Sequence, residues 1–236
     1  MVDVPPGDGE QPAPPPPTGR RYGGLTPEER RAARRSRLVA AALERFSADG
    51  YANTTIESIC SKAGVTARHF YEEFGSREEL LRAVFDEAVE HAAERILHAL
   101  EVATERSLGL EARVRSGVDA FVHAFLDDPR RARIMCLETI GVSRELEGHR
   151  RGAIHAFAAI LESDAHSFVD VESTRREDVT LTTRALVGGI NEIVVDWILA
   201  DDPPPLDVVS RVTANMFLAV IAYRPGDGSR AAGPTA

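Results

Sequence analysis

At 236 residues, with 43% hydrophobic and 28% charged side chains, the chain can bury a substantial core and has the composition of a soluble globular protein. The first 25 residues are Pro/Gly-rich and lack the apolar segment of a secretory leader, and the longest clean apolar run, residues 217–223, is far short of the ~20 residues that cross a bilayer. Net charge is −9, but residues 20–71 hold ten Lys and Arg against five Asp and Glu, a net +5, while residues 81–236 hold 17 against 25, a net −8.

That asymmetry hints at a nucleic-acid-binding end on an acidic body, with an Arg-rich solvated helix as the alternative. Cys60 and Cys136 are too few for a disulfide framework. They read as small buried hydrophobes in a reducing cytoplasm.

Residues 1–25 hold seven prolines and read as a disordered arm, in which Arg20 and Arg21 either touch DNA or only aid solubility. Order begins at "LTPEERRAARRSRLVAAALERFSADGY". Thr26 is placed to N-cap a helix, Pro27 suits its first position and Glu29 completes a capping box. Leu38, Ala41, Ala42 and Phe46 form the apolar stripe, and Gly50 ends it.

In "NTTIESICSKAG", Thr54 or Thr55 caps a short helix, Glu57 stands three residues after Thr54, and Ile56, Ile59 and Ala63 face inward. Gly64 suits the left-handed residue of a tight turn. "GVTARHFYEEF" then supplies another short helix, and in "GSREELLRAVF" Ser76 caps the next, with Glu79 expected to close a second capping box. Long amphipathic helices follow over residues 76–106, 110–126, 143–168, 175–200 and 206–223, with "PRRARIMCLETIG" between the second and third. No alternating strand pattern or repeat interrupts them, and residues 224–236 read as a disordered tail. The expected fold is all-α.

Two short helices joined by a glycine turn make a helix-turn-helix. Phe70 and Phe74, four apart, share one face and meet Ile59, Ala63 and Val65, with Phe46 as a lid. Ala67, Arg68 and Tyr71 lie on another face without protein partners. Arg matches the O6/N7 edge of guanine and Ala a thymine methyl, while Tyr and His can donate to phosphate.

The stretch "GYANTTIESICSKAGVTARHFYEEFGSREELL" resembles the DNA-binding domain of the TetR family of bacterial transcription regulators, over roughly residues 30–85. The resemblance implies a three-helix reader, residues 26–75, on a helical effector-binding and dimerisation domain, residues 76–223. By position it directs Ala67 and Arg68 to base edges and sets His69 between base and phosphate. Thr55, Tyr71 and Arg77 fall to phosphate, and Thr66 belongs to the same DNA-facing set. Arg77 stands where the family usually has Lys, and Glu73 where many members have His. A carboxylate is repelled by phosphate, so Glu73 is left out of the site. Glu57 either closes a capping box or accepts from cytosine N4.

In "ALVGGINEIVVDWILA", Leu186, Ile190, Ile193 and Trp197 form one apolar face, and Val187, Val194 and Ile198 another. The last helix repeats this with Val209, Val212, Met216 and Val220 against Val208, Phe217 and Ile221. One face of each can serve the chain's own core and one a partner copy, with Gly188 and Gly189 permitting close approach. Burial of both within one chain is the alternative. The expected interface comprises Val187, Gly188, Val194, Ile198, Val209, Met216, Phe217 and Val220, and such a homodimer would read a palindromic operator in double-stranded DNA.

Effector candidates are Phe121, Phe125, Met135, Phe157, Asn191 and Trp197; Asn191 stands out because an amide in an apolar helix needs a partner. Glu87, His91, Glu94 and His98 share a helical strip that could hold a metal, but a solvated polar face is the simpler reading, so no metal or other cofactor is expected. No P-loop, G-x-S-x-G elbow, H-E-x-x-H or dinucleotide fingerprint points to an enzyme. The leading expectation is a ligand-responsive dimeric repressor in the cytoplasm. The competing one is a helical protein-interaction module with a vestigial reader.

Overall fold

The computed structural model describes residues 26–165 and 176–222. The proline-rich arm, the C-terminal tail and the far ends of the expected helices at 143–168, 175–200 and 206–223 fall outside these bounds. Among the described residues the elements are α1 (Pro27–Asp49), α2 (Ile56–Ala63), α3 (Ala67–Glu73), α4 (Arg77–Glu105), α5 (Leu110–Leu126), α6 (Pro129–Arg133), a π-helical turn (Ile134–Glu138), α7 (Arg144–Ala165), α8 (Arg176–Leu199) and α9 (Leu206–Ala222). The fold is all-α, as expected. No helix among the described residues is long and apolar enough to cross a membrane.

Helix starts follow local chemistry. Thr26 and Glu29 form the reciprocal capping box of α1: the hydroxyl accepts from Glu29 N at 3.1 Å and the carboxylate from Thr26 N at 2.6 Å. Thr55, not Thr54, caps α2, accepting from Ser58 N at 3.1 Å. Thr54 is buried, and its hydroxyl donates to the Gly50 carbonyl at 2.8 Å. Glu57 therefore sits one place too early in α2 for a capping box.

The second expected box, at Ser76 and Glu79, is half formed. Ser76 accepts from Glu79 N at 3.1 Å, but Glu79 Oε2 takes the N–H of Gly75 at 2.6 Å, one residue upstream of the cap. The unforeseen π-helical turn directly extends α6, which Asp128 and Pro129 start.

α1, α2 and α3 enclose a small core of Leu38, Phe46, Ile59 and Phe70, all fully buried. Each such burial contributes roughly 1.5–3 kcal/mol relative to exposure. α1 also packs on α4 and α6, α4 lies along α5, α5 meets α9, and α7 pairs with α8. Arg113 of α5, buried, donates to Thr104 Oγ1 at 2.6 Å and pairs with Asp164 of α7. A buried cation needs such partners.

Gly64 closes α2 with φ 62° and ψ 39°, the left-handed region, and its N–H and that of Val65 return to the last carbonyls of the helix. A Cβ there would come no closer than 3.9 Å to the mobile end of Arg37, so an alanine is disfavoured by backbone conformation alone. Gly64→Ala is expected to destabilise the chain by about 1–2 kcal/mol in urea melts. A change below about 0.3 kcal/mol contradicts the left-handed turn.

Candidate nucleic-acid interface and internal cavity

α3 presents its outer face to solvent. Its cap, Thr66, accepts from His69 N at 3.4 Å, and its hydroxyl lies 3.1 Å from His69 Nδ1, which fixes that ring beside the helix start. Thr66 and Ala67 are exposed. The Arg68 side chain is 87% exposed, and its one polar partner among the described residues is Glu72, one turn on, with Nε 3.2 Å from Oε1. Tyr71 is 60% exposed; its ring stands edge-on to Phe70 at 5.2 Å, and its hydroxyl has no hydrogen-bond partner among the described residues. Thr55, the cap of α2, is exposed as well, and His69 is half-buried. Glu72 was overlooked: its spacing of four from Arg68 was readable, and its carboxylate can tether the guanidinium or accept from cytosine N4.

Arg77 behaves differently. Its guanidinium donates to the carbonyl of Thr54 and lies 4.2 Å from the centre of the Tyr51 ring, so it joins α4 to the α1–α2 turn. Glu73 is also internal: its side chain is 2% exposed and holds Arg31 at 2.9 Å and Arg34 at 3.4 Å. Its hydrogen bond and charge hold the Arg31 pKa above its ordinary value. Arg35 stacks on Phe74 at 4.4 Å. Much of the basic run on α1 therefore secures α3 and is not wholly available to a polyanion.

Removing Arg77 should therefore cost stability, whereas removing Arg68 should not. Arg77→Ala is expected to destabilise by about 1–3 kcal/mol, through the stacked cation and its charged hydrogen bond. Arg68→Ala should stay within about 0.5 kcal/mol. Chemical denaturation compares them, and equal losses contradict the division.

Inside the body, Phe121, Phe125, Met135, Phe157 and Asn191 come together around a cavity of about 30 Å³, joined by Phe85, Cys136, Arg150, Ala153, Ile154 and Val187. Phe121 and Phe125 stack with centroids 4.4 Å apart, and Phe157 meets both rings edge-on at 5.9 Å. Trp197 is not among the lining residues: its indole N–H donates to the Pro204 carbonyl at 2.8 Å and closes the α8–α9 connection. Burial pushes the Cys136 thiol up to about 12, so it is neutral near pH 7.

Sequence reasoning missed two charged residues here. Arg150 lines the cavity from α7. Glu138 ends the π-helical turn whose Met135 and Cys136 form the cavity wall, and it accepts from Tyr51 N at 2.8 Å and Arg133 Nε at 3.0 Å. A carboxylate thus connects the cavity wall to the turn that Arg77 grips from the other side. Neither role carries a local signal, because the partners are 87 residues apart for Glu138 and Tyr51, and Arg150 sits in the charged run "GHRRG".

The expected dimer residues divide. Val187, Val194, Val209 and Phe217 are buried within this chain, so they belong to its own core. Ile198 and Met216 are half-buried, while Gly188 and Val220 are exposed. Leu181, Leu199 and Val212 add exposed apolar surface on α8 and α9. Of the polar strip on α4, Glu87, Glu94 and His98 are exposed and His91 half-buried, and no cluster suited to a metal occurs among the described residues.

Residues 38–84 match the family model described as "Bacterial regulatory proteins, tetR family". The chain is 35% identical over 128 residues to the HTH-type transcriptional regulator TcmR of Streptomyces glaucescens, covering 48% of this chain and 55% of TcmR. It is 32% identical over 90 residues to the HTH-type transcriptional activator FasR of Mycolicibacterium smegmatis, covering 38% and 41%. The chain thus spans about half the length of these curated relatives.

Among solved structures, the fatty acid degradation regulator FadR from Bacillus halodurans superposes with TM-score 0.70 at 19% identity, over 81% of this chain and 97% of that one. The transcriptional regulator FadR from Bacillus subtilis in complex with stearoyl-CoA gives 0.66 at 19% identity, over 78% and 97%. At such identity these two speak for the fold alone. The family match, by contrast, covers the residues that build the α1–α4 core and its glycine turn, and over that segment the chain is similar to the tetR family of bacterial regulatory proteins.

Proposed function

We propose that the protein is a homodimeric transcriptional regulator that binds a palindromic operator through α3 and releases it when a small-molecule effector enters the body, acting as a repressor. The observation that carries this reading is the open face of α3, where Ala67, Arg68 and Tyr71 have side chains suited to base edges and phosphates and almost no protein partner. The relatives named as HTH-type regulators support it. FasR is named an activator, so the sign of regulation rests on the switch, not on the reader.

The exposed apolar residues of α8 and α9, with Gly188 offering open space, suit a twofold four-helix contact. That contact would set two copies of α3 about one helical turn of DNA apart. The aromatic cavity and the stearoyl-CoA complex of FadR from Bacillus subtilis support an effector site in the body. An effector that parts the cavity wall would move Phe85 on α4 and Met135 on the π-helical turn, and α4 and Glu138 both reach the reader. It shifts the equilibrium only so far as it binds the two arrangements with different affinity.

Fluorescence anisotropy on duplex DNA selected from a genomic library tests the reading. Affinity should fall on the order of 10³-fold between roughly 50 and 200 mM salt, as several phosphate contacts require. Arg68→Ala should cost about 1–3 kcal/mol of specific binding, and Tyr71→Phe about 0.5–1.5 kcal/mol. Affinity unchanged by both substitutions contradicts the assignment of α3.

Val212→Asp, at an exposed apolar position of α9, should convert the dimer to a monomer in sedimentation experiments while helix content stays unchanged. A wild-type chain that sediments as a monomer at tens of micromolar sinks the twofold reading.

A further inference from the structure

The cavity also specifies what it would hold, and this inference rests on the effector reading above. Its lining residues include one formal charge, the Arg150 guanidinium. Arg150 pairs with Glu147, one turn earlier on α7, through Nη2–Oε1 at 2.8 Å and Nε–Oε2 at 3.3 Å. The arginine side chain is 18% exposed and the carboxylate side chain 37%, so the acid sits nearer solvent than the base it neutralises. Nη1 of Arg150 makes no hydrogen bond among the described residues.

Asn191 of α8 lines the same cavity, and its side-chain amide likewise has no partner among the described residues. The neutral Cys136 thiol adds no anion to the wall. Everything else around these two groups is apolar, including the packed rings of Phe121, Phe125 and Phe157.

We propose that the cavity takes a monocarboxylic acid with an aromatic or alkyl body. Its carboxylate replaces that of Glu147 on the Arg150 guanidinium and accepts from the Asn191 amide, while its body enters among the three Phe rings. The exchange is electrostatically economical: Glu147 is released into water from a partly exposed site, and the guanidinium is never left without a counter-charge. An apolar alcohol of the same body cannot make this exchange, because it offers no charge to compensate for the lost carboxylate.

At about 30 Å³ the cavity holds a water or two at most. The ligand body therefore enters by parting the wall, where the unbranched Met135 side chain yields most readily. Ligand entry and movement of the π-helical turn are then one event.

Isothermal titration calorimetry on the full chain tests this with two matched pairs, octanoate against octan-1-ol and 4-phenylbutanoate against 4-phenylbutan-1-ol. At least one acid should bind about tenfold or more tightly than its alcohol. Arg150→Gln should lower that acid to the affinity of its alcohol. Glu147→Gln, which removes the competing carboxylate, should tighten the acid several-fold and leave the alcohol unchanged; its opposite sign keeps the test decisive if Arg150→Gln folds poorly.

Equal binding of acid and alcohol, no binding of either acid up to millimolar concentration, or weaker acid binding by Glu147→Gln overturns the proposal. DNA binding is measured on the same preparations without ligand. Intact DNA binding with no preference for the acid removes this inference alone, whereas acid preference in a chain indifferent to DNA removes the regulator reading and leaves the carboxylate site standing.

Discussion

Phe70 has to be buried, and the surface of the reader follows from that. Its ring is fully enclosed by the small core of α1 and α2, and Phe74 follows it inward four residues later. A helix advances about 100° per residue, so burying that stripe turns Arg68 and Glu72 to the opposite side and leaves Tyr71 on the flank. The left-handed Gly64 allows α3 to begin after only three intervening residues, so the helix is aimed as well as rotated. An aromatic residue with no part in recognition thus determines which side chains a partner can meet.

The reader is held to the rest of the molecule by a few charged contacts. Glu73 gathers Arg31 and Arg34, Arg77 spans from α4 to Tyr51 and Thr54, and Glu138 takes the Tyr51 amide from the π-helical turn. The last two converge on the α1–α2 turn from the two parts of the body that also wall the cavity, α4 through Phe85 and the π-helical turn through Met135. A cavity and a reader that share rigid connections can bias one another without direct contact, as coupling between two sites requires.

What could be read in the sequence was mainly what local geometry decides. Caps, the glycine turn and the apolar stripe of α1 depend on neighbours within a turn or on helical periodicity; of the six effector candidates, five line one cavity. The failures share a different cause. Glu79 chose the Gly75 amide because the chain before Ser76 folds back toward it, and Trp197 turned to Pro204 because the prolines after α8 put a free carbonyl within reach.

Arg77, Glu73 and Glu138 have partners decades of residues away, and a charged side chain alone does not reveal which face will enclose it. The two-faced apolar helices α8 and α9 were recognisable as such. Which valines are buried within this chain depended on how α5 and α7 cover them.

The most direct measurement is selection of genomic DNA fragments by the purified full chain, followed by footprinting of those retained. The account predicts that the fragments share an inverted repeat, with the protected bases of its half-sites centred about one helical turn apart and facing the major groove. Enrichment without any shared symmetric element, or protection confined to a single half-site, would contradict a paired presentation of α3.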